Sequence, residues 1–306
     1  MYHYDSIQKI MSVILITGTS TGIGRAAAEE LARHNHTVYA TMRSPEQYPD
    51  LSQLAASENL SLIVLPLDVN DDDSVQAAVD KILSKEKQID VLINNAGVGA
   101  FGPVEELSME IIARDLQTHY FGTVRCIKAV LPAMRQRQSG CIINITSVAG
   151  KLYGNFHSCY CASKAAVEAF SECLAQEVKP FNVRIAMVEP GIIDTPIFGK
   201  ANDIIRSKTA YPNMKRFMSM FAASLENHVP PSVVAEVILD IVEGRSTALR
   251  NPAGPDALSF LEWRASMPDE DYINSVLVDD ESWINAMEES GLSVRKYMEA
   301  EAAHQF

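Results

Sequence analysis

Val13-Ile14-Leu15-Ile16-Thr17-Gly18-Thr19-Ser20-Thr21-Gly22-Ile23-Gly24 runs from a β-branched apolar stretch through a glycine-rich loop into an amphipathic segment that continues to His34. Strand, loop and helix in that order aim the free N–H groups of a helix N-terminus past the end of the strand. That is a seat for an anion, above all the pyrophosphate of a dinucleotide. Gly18 permits the tight turn, and Gly22 and Gly24 let backbone approach phosphate and helix pack on sheet. Gly18, Ser20, Gly22, Ile23 and Gly24 are therefore candidate cofactor-binding residues.

Working outward, short apolar runs alternate with amphipathic stretches, the pattern of parallel strands joined by crossover helices. The strand runs are Val13–Thr17, Thr37–Thr41, Leu62–Leu65, Val91–Asn94, Cys141–Ile145, Arg184–Val188 and Ala248–Leu249. Helical stretches include Ile23–His34, Asp72–Ser84, Met109–Arg137 with a break near Phe121-Gly122, Ser158–Val178 and Pro231–Glu243. Right-handed crossovers place helices on both faces. The fold class is α/β, a doubly wound seven-stranded parallel sheet spanning residues 13–255. Within it, 191–228 is a long connection rich in Met and Phe, expected to act as a substrate lid. Residues 1–12 read as a leader, and 256–306 as an acidic helical extension packed on the same domain and anchored by Trp263 and Trp283.

The 306 residues are 47% hydrophobic and 21% charged, a globular balance. A formal charge of −13 argues against a nucleic-acid partner, whose affinity depends on Lys and Arg. From Pro268 onward ten acidic residues face only Arg295 and Lys296. No segment has the apolar length of a bilayer span, and residues 1–12 lack the features of a secretory signal, so a cytoplasmic protein is expected. Cys126, Cys141, Cys159, Cys161 and Cys173 show no metal spacing, which points to reduced thiols and no metal site.

Tyr160 and Lys164 stand four apart in a helical stretch and share a face. A free Tyr has a pKa near ~10, and a cation at ~4 Å in an effective dielectric of about 20 is strong enough to bring it toward neutrality. The pair is thus a candidate acid/base, with Lys164 also placed to hold ribose hydroxyls. Ser147, just after the fifth strand run, is a candidate donor to a substrate oxygen as charge develops there.

The glycine loop, Asn94-Asn95-Ala96-Gly97, Ser147 and Tyr160-x-x-x-Lys164 together resemble the short-chain dehydrogenase/reductase family, whose TGxxxGxG, NNAG and Ser-Tyr-Lys motifs they match. The resemblance spans Val13 to about Leu249. Val38–Thr41, Phe121–Arg125 and Arg250–Asp256 look most like its hydroxysteroid and retinol dehydrogenase branch. It implies a Rossmann-type sheet and a nicotinamide cofactor touched by Asp68 and Val69 at the adenine and by Asn95, Ala96 and Gly97 at the riboses. Pro190, Gly191, Ile193 and Thr195 would then lie under the nicotinamide. NAD-binding members carry an acid at the end of the second strand. Here Met42 stands in that place and Arg43 follows, a partner for a 2′-phosphate, so NADP(H) is favoured over NAD(H).

One departure concerns His119, which stands where most of the family has an Asn that helps hold a proton-relaying water. A catalytic His119 would add a step near ~6.5 to the pH profile. The expected activity is hydride transfer between nicotinamide and a hydrophobic ketone or aldehyde, or the corresponding alcohol. Phe198, Tyr211, Met214, Phe217, Met218, Met220 and Phe221 are expected to line the substrate pocket. The alternative is a cofactor-binding sensor with little turnover. Relatives use the Met109–Arg137 and Ser158–Val178 helices as dimer surfaces, so a homo-oligomer is expected.

Overall fold

The computed structural model describes residues 11–197, 209–226 and 228–299. Among them, strands β1 (Val13–Thr17), β2 (Thr37–Met42), β3 (Leu62–Pro66), β4 (Val91–Asn94), β5 (Gly140–Ile145), β6 (Val183–Pro190) and β7 (Arg250–Ala253) form one sheet. Its order is β3-β2-β1-β4-β5-β6-β7, and each neighbouring pair is parallel. The chain leaves β1 to one side for β2 and β3 and returns to its other side for β4. The order therefore reverses beside β1, and a crevice opens at the carboxyl ends of β1 and β4.

The period of two along each strand sorts side chains into two cores. Ile14 and Ile16 face one side, with Ala27, Ala28 and Leu31 of α1 (Gly22–Arg33) and Val234 and Ile238 of a helix at Ser232–Val242. Leu15 faces the other, with Val79 and Ile82 of α3 (Asp72–Glu86), Ile127 and Val130 of α5 (Gly122–Arg137) and Leu174 of α6 (Ser158–Val178). Short helix α2 (Asp50–Ser57) joins β2 to β3. The sheet is buried on both faces, as parallel strands require.

Two element boundaries depart from the pattern-based reading. The seventh strand lies at Arg250–Ala253 rather than Ala248–Leu249, and pairs Met187 with Arg250 through Pro190 with Ala253. Its polar residues are held there by partners remote in sequence. Asn251 Nδ2 donates to the Met187 carbonyl at 3.0 Å, Arg250 meets two buried carboxylates, and Pro252 is tolerated because β7 is an edge. The break expected near Phe121-Gly122 is a π-helical turn, Gln117–Phe121, between α4 (Met109–Leu116) and α5. Such turns widen a helix by one residue per turn and often mark sites.

In the region expected to be a lid, residues 198–208 and 227 lie outside the described residues, Phe198 among them. What is described is α7 (Met214–Leu225), ahead of α8 (Ser232–Val242). After β7 come α9 (Ala257–Ser266), α10 (Asp269–Asn274), α11 (Asp280–Glu289) and α12 (Arg295–Glu299). This extension grips α7: Ile284 and Val294 are buried against Ala223. Arg216 reaches Asp280 at 2.6 Å and the Val278 carbonyl at 2.8 Å, with the Trp283 ring 5.8 Å away. Trp283 does anchor the extension, whereas Trp263 is 45% exposed and meets only Tyr272 among the aromatic rings described.

Candidate active site

The crevice between β1 and β4 is laced at its floor. Thr17 Oγ1 accepts from the N–H groups of Asn95 and Ala96 at 3.0 and 3.1 Å. Asn95 Nδ2 donates to the carbonyls of Thr17 and Gly18, both at 2.9 Å. Gly18 has φ +73°, and a Cβ there would lie 2.7 Å from Ala96 Cα. At Gly24 a Cβ would come within 2.3 Å of Asn95 Nδ2. Both positions exclude a side chain, the first for its turn as well as its neighbour and the second for packing alone.

Above this floor, Thr19 donates through both N–H and Oγ1 to the Thr41 carbonyl, at 3.0 and 3.1 Å, tying the loop to the end of β2. Thr21 at the N-cap of α1 makes no side-chain cap, and the first turn carries no acid. The helix's first N–H groups and the positive end of its dipole thus remain for an anion in the cleft. Arg43 stands exposed on the same rim. A glycine-lined helix start with uncapped amides fits the pyrophosphate of a dinucleotide.

The other end of the cleft is built by β5, α6 and the turn after β6. Ser147, Tyr160 and Lys164 line it together with Pro190, Gly191, Ile193 and Thr195. Every catalytic and cofactor-binding residue expected from the sequence borders this one cleft except Gly24, which sits behind the loop against Asn95. Ser147 Oγ accepts from the Ala149 N–H at 3.1 Å and donates to the Pro190 carbonyl at 3.4 Å. Lys164 Nζ is buried, donates to the Ile145 carbonyl at 2.9 Å and lies 5.4 Å from the Tyr160 ring centre. Asp256 accepts from the Ile192 N–H at 2.9 Å and so braces the turn after β6.

Two electrostatic expectations need correction. Tyr160 is not lowered toward neutrality: burial raises its pKa, Asp115 raises it further, and the nearby Ser147 hydroxyl is the opposing influence. Lys164 is itself pushed down to about 8 by burial, against the pull of Asp115 and Glu168. The expected His119 step is likewise displaced. Burial first, then the Lys164 charge, hold this imidazole's pKa well below 6.5, so it stays neutral throughout the neutral range. His119 belongs to the π turn, with Nε2 2.8 Å from the Val98 carbonyl, to which the Nε2–H tautomer donates. Its ring meets Tyr160 edge-on at 5.3 Å.

Several neighbours were not expected. Asp115, one helical turn before His119, hydrogen-bonds Ser163 at 2.6 Å. An acid at helical spacing from His119 in an otherwise apolar face was the available signal. His157 stacks flat on Tyr160 at 4.7 Å with an interplanar angle of 5°. Burial pushes it down to about 3, so it serves as a neutral aromatic plate. Phe101, Phe217 and Phe221 close around it within 6 Å. Of the residues expected in a substrate pocket, Met214, Phe217, Met218 and Phe221 are buried in this wall, with Met220 partly so. Tyr211 turns outward to Glu105 at 2.7 Å.

An anion seat, a buried cation and a protonated hydroxyl beside an apolar wall can together hold a cofactor and give a proton to a carbonyl oxygen. Known proteins similar to this chain include oxidoreductases. The family model described as short chain dehydrogenase matches residues 12–206. A 3-ketodihydrosphingosine reductase of Bacteroides thetaiotaomicron is 35% identical over 84% of this chain and 93% of its own. Retinol dehydrogenase 8 of Bos taurus is 38% identical over 78% and 80%. Human 17-beta-hydroxysteroid dehydrogenase type 1 is 35% identical over 84% and 82%. Among solved structures, an alcohol dehydrogenase from Thermococcus sibiricus complexed with 5-hydroxy-NADP superposes with a TM-score of 0.67, 25% identity and coverage of 79% and 96%. A short chain dehydrogenase/reductase from Burkholderia phymatum in complex with NAD has the same fold, with a TM-score of 0.74 at 21% identity and coverage of 85% and 95%.

Proposed function

The chain belongs to the short-chain dehydrogenase/reductase family, on the side of its hydroxysteroid and retinol dehydrogenases, and from that membership we propose an NADP(H)-dependent oxidoreductase acting on a hydrophobic ketone or aldehyde, or the corresponding alcohol. The observation that carries this reading is the single cleft that runs from the uncapped start of α1 to Ser147, Tyr160 and Lys164. The nicotinamide supplies or accepts the hydride. Gly18, Ser20, Gly22 and Ile23 present backbone to the pyrophosphate, with Gly24 keeping the loop tight behind them. Asp68 and Val69 border the adenine, and Asn95, Ala96 and Gly97 the riboses. Pro190, Gly191, Ile193 and Thr195 form the shelf beneath the nicotinamide.

Tyr160 gives its hydroxyl proton to the substrate oxygen in reduction and takes it back in oxidation. Ser147 donates to the same oxygen as it gains charge. Lys164 provides the cation that offsets a developing phenolate and holds ribose hydroxyls. His119 acts as a neutral brace, fixing the strand of backbone at Val98 against the face of Tyr160. The wall of Phe101, Phe217 and Phe221 selects an apolar substrate, and α7 holds that wall because the C-terminal extension grips it. We further read the protein as a cytoplasmic homo-oligomer formed through the α4–α5 stretch Met109–Arg137 and α6. Sedimentation as a monomer at micromolar concentration would remove the oligomer from this reading.

Fluorescence titration with NADPH and NADH, followed by cofactor oxidation against a panel of hydrophobic ketones and aldehydes, tests the proposal. Tight NADPH binding with turnover is the expected result. Tight binding with no turnover anywhere in the panel would favour a cofactor sensor. In Arg43→Ala, loss of a charge-assisted contact of about 1.5–3 kcal/mol should weaken NADPH binding roughly 10- to 150-fold and leave NADH unchanged. Equal loss for both cofactors would show that Arg43 does not read the 2′-phosphate.

A further inference from the structure

Asp115 is the buried charge of this site to which the reaction above assigns no task. It is fully buried on α4. Its Oδ1 is satisfied by the Ser163 hydroxyl at 2.6 Å, and Ser163 directly precedes Lys164. Its Oδ2 has no hydrogen-bond partner and lies 3.9 Å from His119 Nε2, whose hydrogen-bonding reach is already taken by Val98. Packing alone gives no reason for this residue, since an apolar side chain would fill the space without a desolvated, half-satisfied carboxylate.

The groups facing Asp115 show what the charge acts on. Ser163, the α6 residue that meets Asp115, follows Tyr160 by three positions and directly precedes Lys164; Arg114 adjoins Asp115 on α4, His119 lies one turn on, held neutral, and the Asp115 charge is felt at Lys164, Tyr160, Cys159 and Cys161. Lys164 is the buried cation of this set. We propose that Asp115 is a positioning residue for the catalytic pair: its carboxylate, anchored by Ser163, keeps Lys164 charged beside Tyr160 at neutral pH.

The proposal deepens the oxidoreductase reading and rests on its assignment of Tyr160 and Lys164. Burial pushes Asp115 up to about 6, against the Ser163 hydrogen bond and the Lys164 charge. Burial pushes Lys164 down to about 8, and Asp115 is the foremost group opposing that fall, ahead of Glu168. Between these two values both groups are ionised. Below the window Asp115 takes up a proton and its support of Lys164 is lost. Above it Lys164 gives up its own proton.

The test is a pH titration by NMR of the full chain labelled at the lysine ε-carbon, with the Lys164 signal identified by its loss in Lys164→Arg. The wild type should show a main midpoint near 8 and a smaller inflection near 6. In Asp115→Asn, which keeps an oxygen for Ser163, the inflection should vanish and the midpoint fall by about one pH unit. Ser163→Ala keeps the charge but removes the hydrogen bond that favours it, so the inflection should move to higher pH. That variant carries the test if Asp115→Asn does not fold. A folded Asp115→Asn with both features unchanged, or an inflection that stays put in Ser163→Ala, would overturn the proposal. Turnover plays no part in this readout, so failure of the oxidoreductase reading, seen as undiminished activity in Tyr160→Phe, is distinguishable from failure here.

Discussion

Tyr160→Phe is expected to lower kcat for carbonyl reduction by about 10²- to 10⁴-fold, the range supplied by a positioned acid/base, with NADPH affinity close to that of the wild type. The substitution removes one hydroxyl and keeps the ring, and the ring is what the surroundings hold: His157 stacks on one face and His119 meets it edge-on. Ser147 keeps both the Ala149 N–H and the Pro190 carbonyl, so the cost in stability should be no more than about 1 kcal/mol. A large loss of turnover with little loss of folding is therefore a loss of chemistry.

The direction of the Tyr160 shift adds a pH signature. Because burial raises its pKa, the hydroxyl stays protonated through neutral and mildly alkaline pH, and reduction does not lose its proton donor there. Oxidation needs the deprotonated form, so it should accelerate as pH rises. Steady-state cofactor kinetics in both directions would check this, and oxidation that slows with rising pH would contradict Tyr160 as the base.

Arg250→Met should destabilise the fold by about 3–5 kcal/mol, the usual cost of stripping the partner from buried charge. Arg250 Nη1 lies 2.6 Å from Glu168 and 2.8 Å from Glu189, which are only 1% and 2% exposed. Lys151 is 3.6 Å from Glu168 and cannot serve both. At roughly 2–4 °C per kcal/mol for a chain of this size, Tm should fall by on the order of 10 °C. Burial and the neighbouring Glu168 already hold the Glu189 pKa above that of a free carboxylate. Without Arg250 it rises further, so the folded state binds a proton that the unfolded chain does not. The deficit should thus grow as pH rises through the carboxylate range and shrink on acidification. Calorimetry at several pH values would measure it, and a Tm within about 2 °C of wild type at neutral pH would mean that the carboxylates find other partners.

This cluster has a functional side. Glu168 lies one turn after Lys164 on α6, and Glu189 precedes Pro190 at the head of the turn lining the cleft. The ion pairs therefore clamp α6, β6 and β7 next to Lys164 and the turn that lines the cleft. None of this is legible from spacing, because Arg250 is 82 residues from Glu168 and 61 from Glu189. The same distance explains the misplaced seventh strand: Arg250 and Asn251 read as loop until their partners are known.

What could be read from the chain alone is what local geometry determines. A strand followed by Gly18, Gly22 and Gly24 leaves few other backbones, a spacing of four puts Tyr160 and Lys164 on one helical face, and alternating apolar runs imply a parallel sheet with its crevice beside β1. The tertiary structure decided the charges. Whether Tyr160, Lys164, His119 and Asp115 hold protons depends on how completely other elements exclude water and which ions they bring near. Burial raises the Tyr160 pKa although a cation lies close by, His119 is silenced by its own burial, and Asp115 acquires a task only where α4 meets α6. Desolvation is a property of the assembled interior, and no spacing along the chain encodes it.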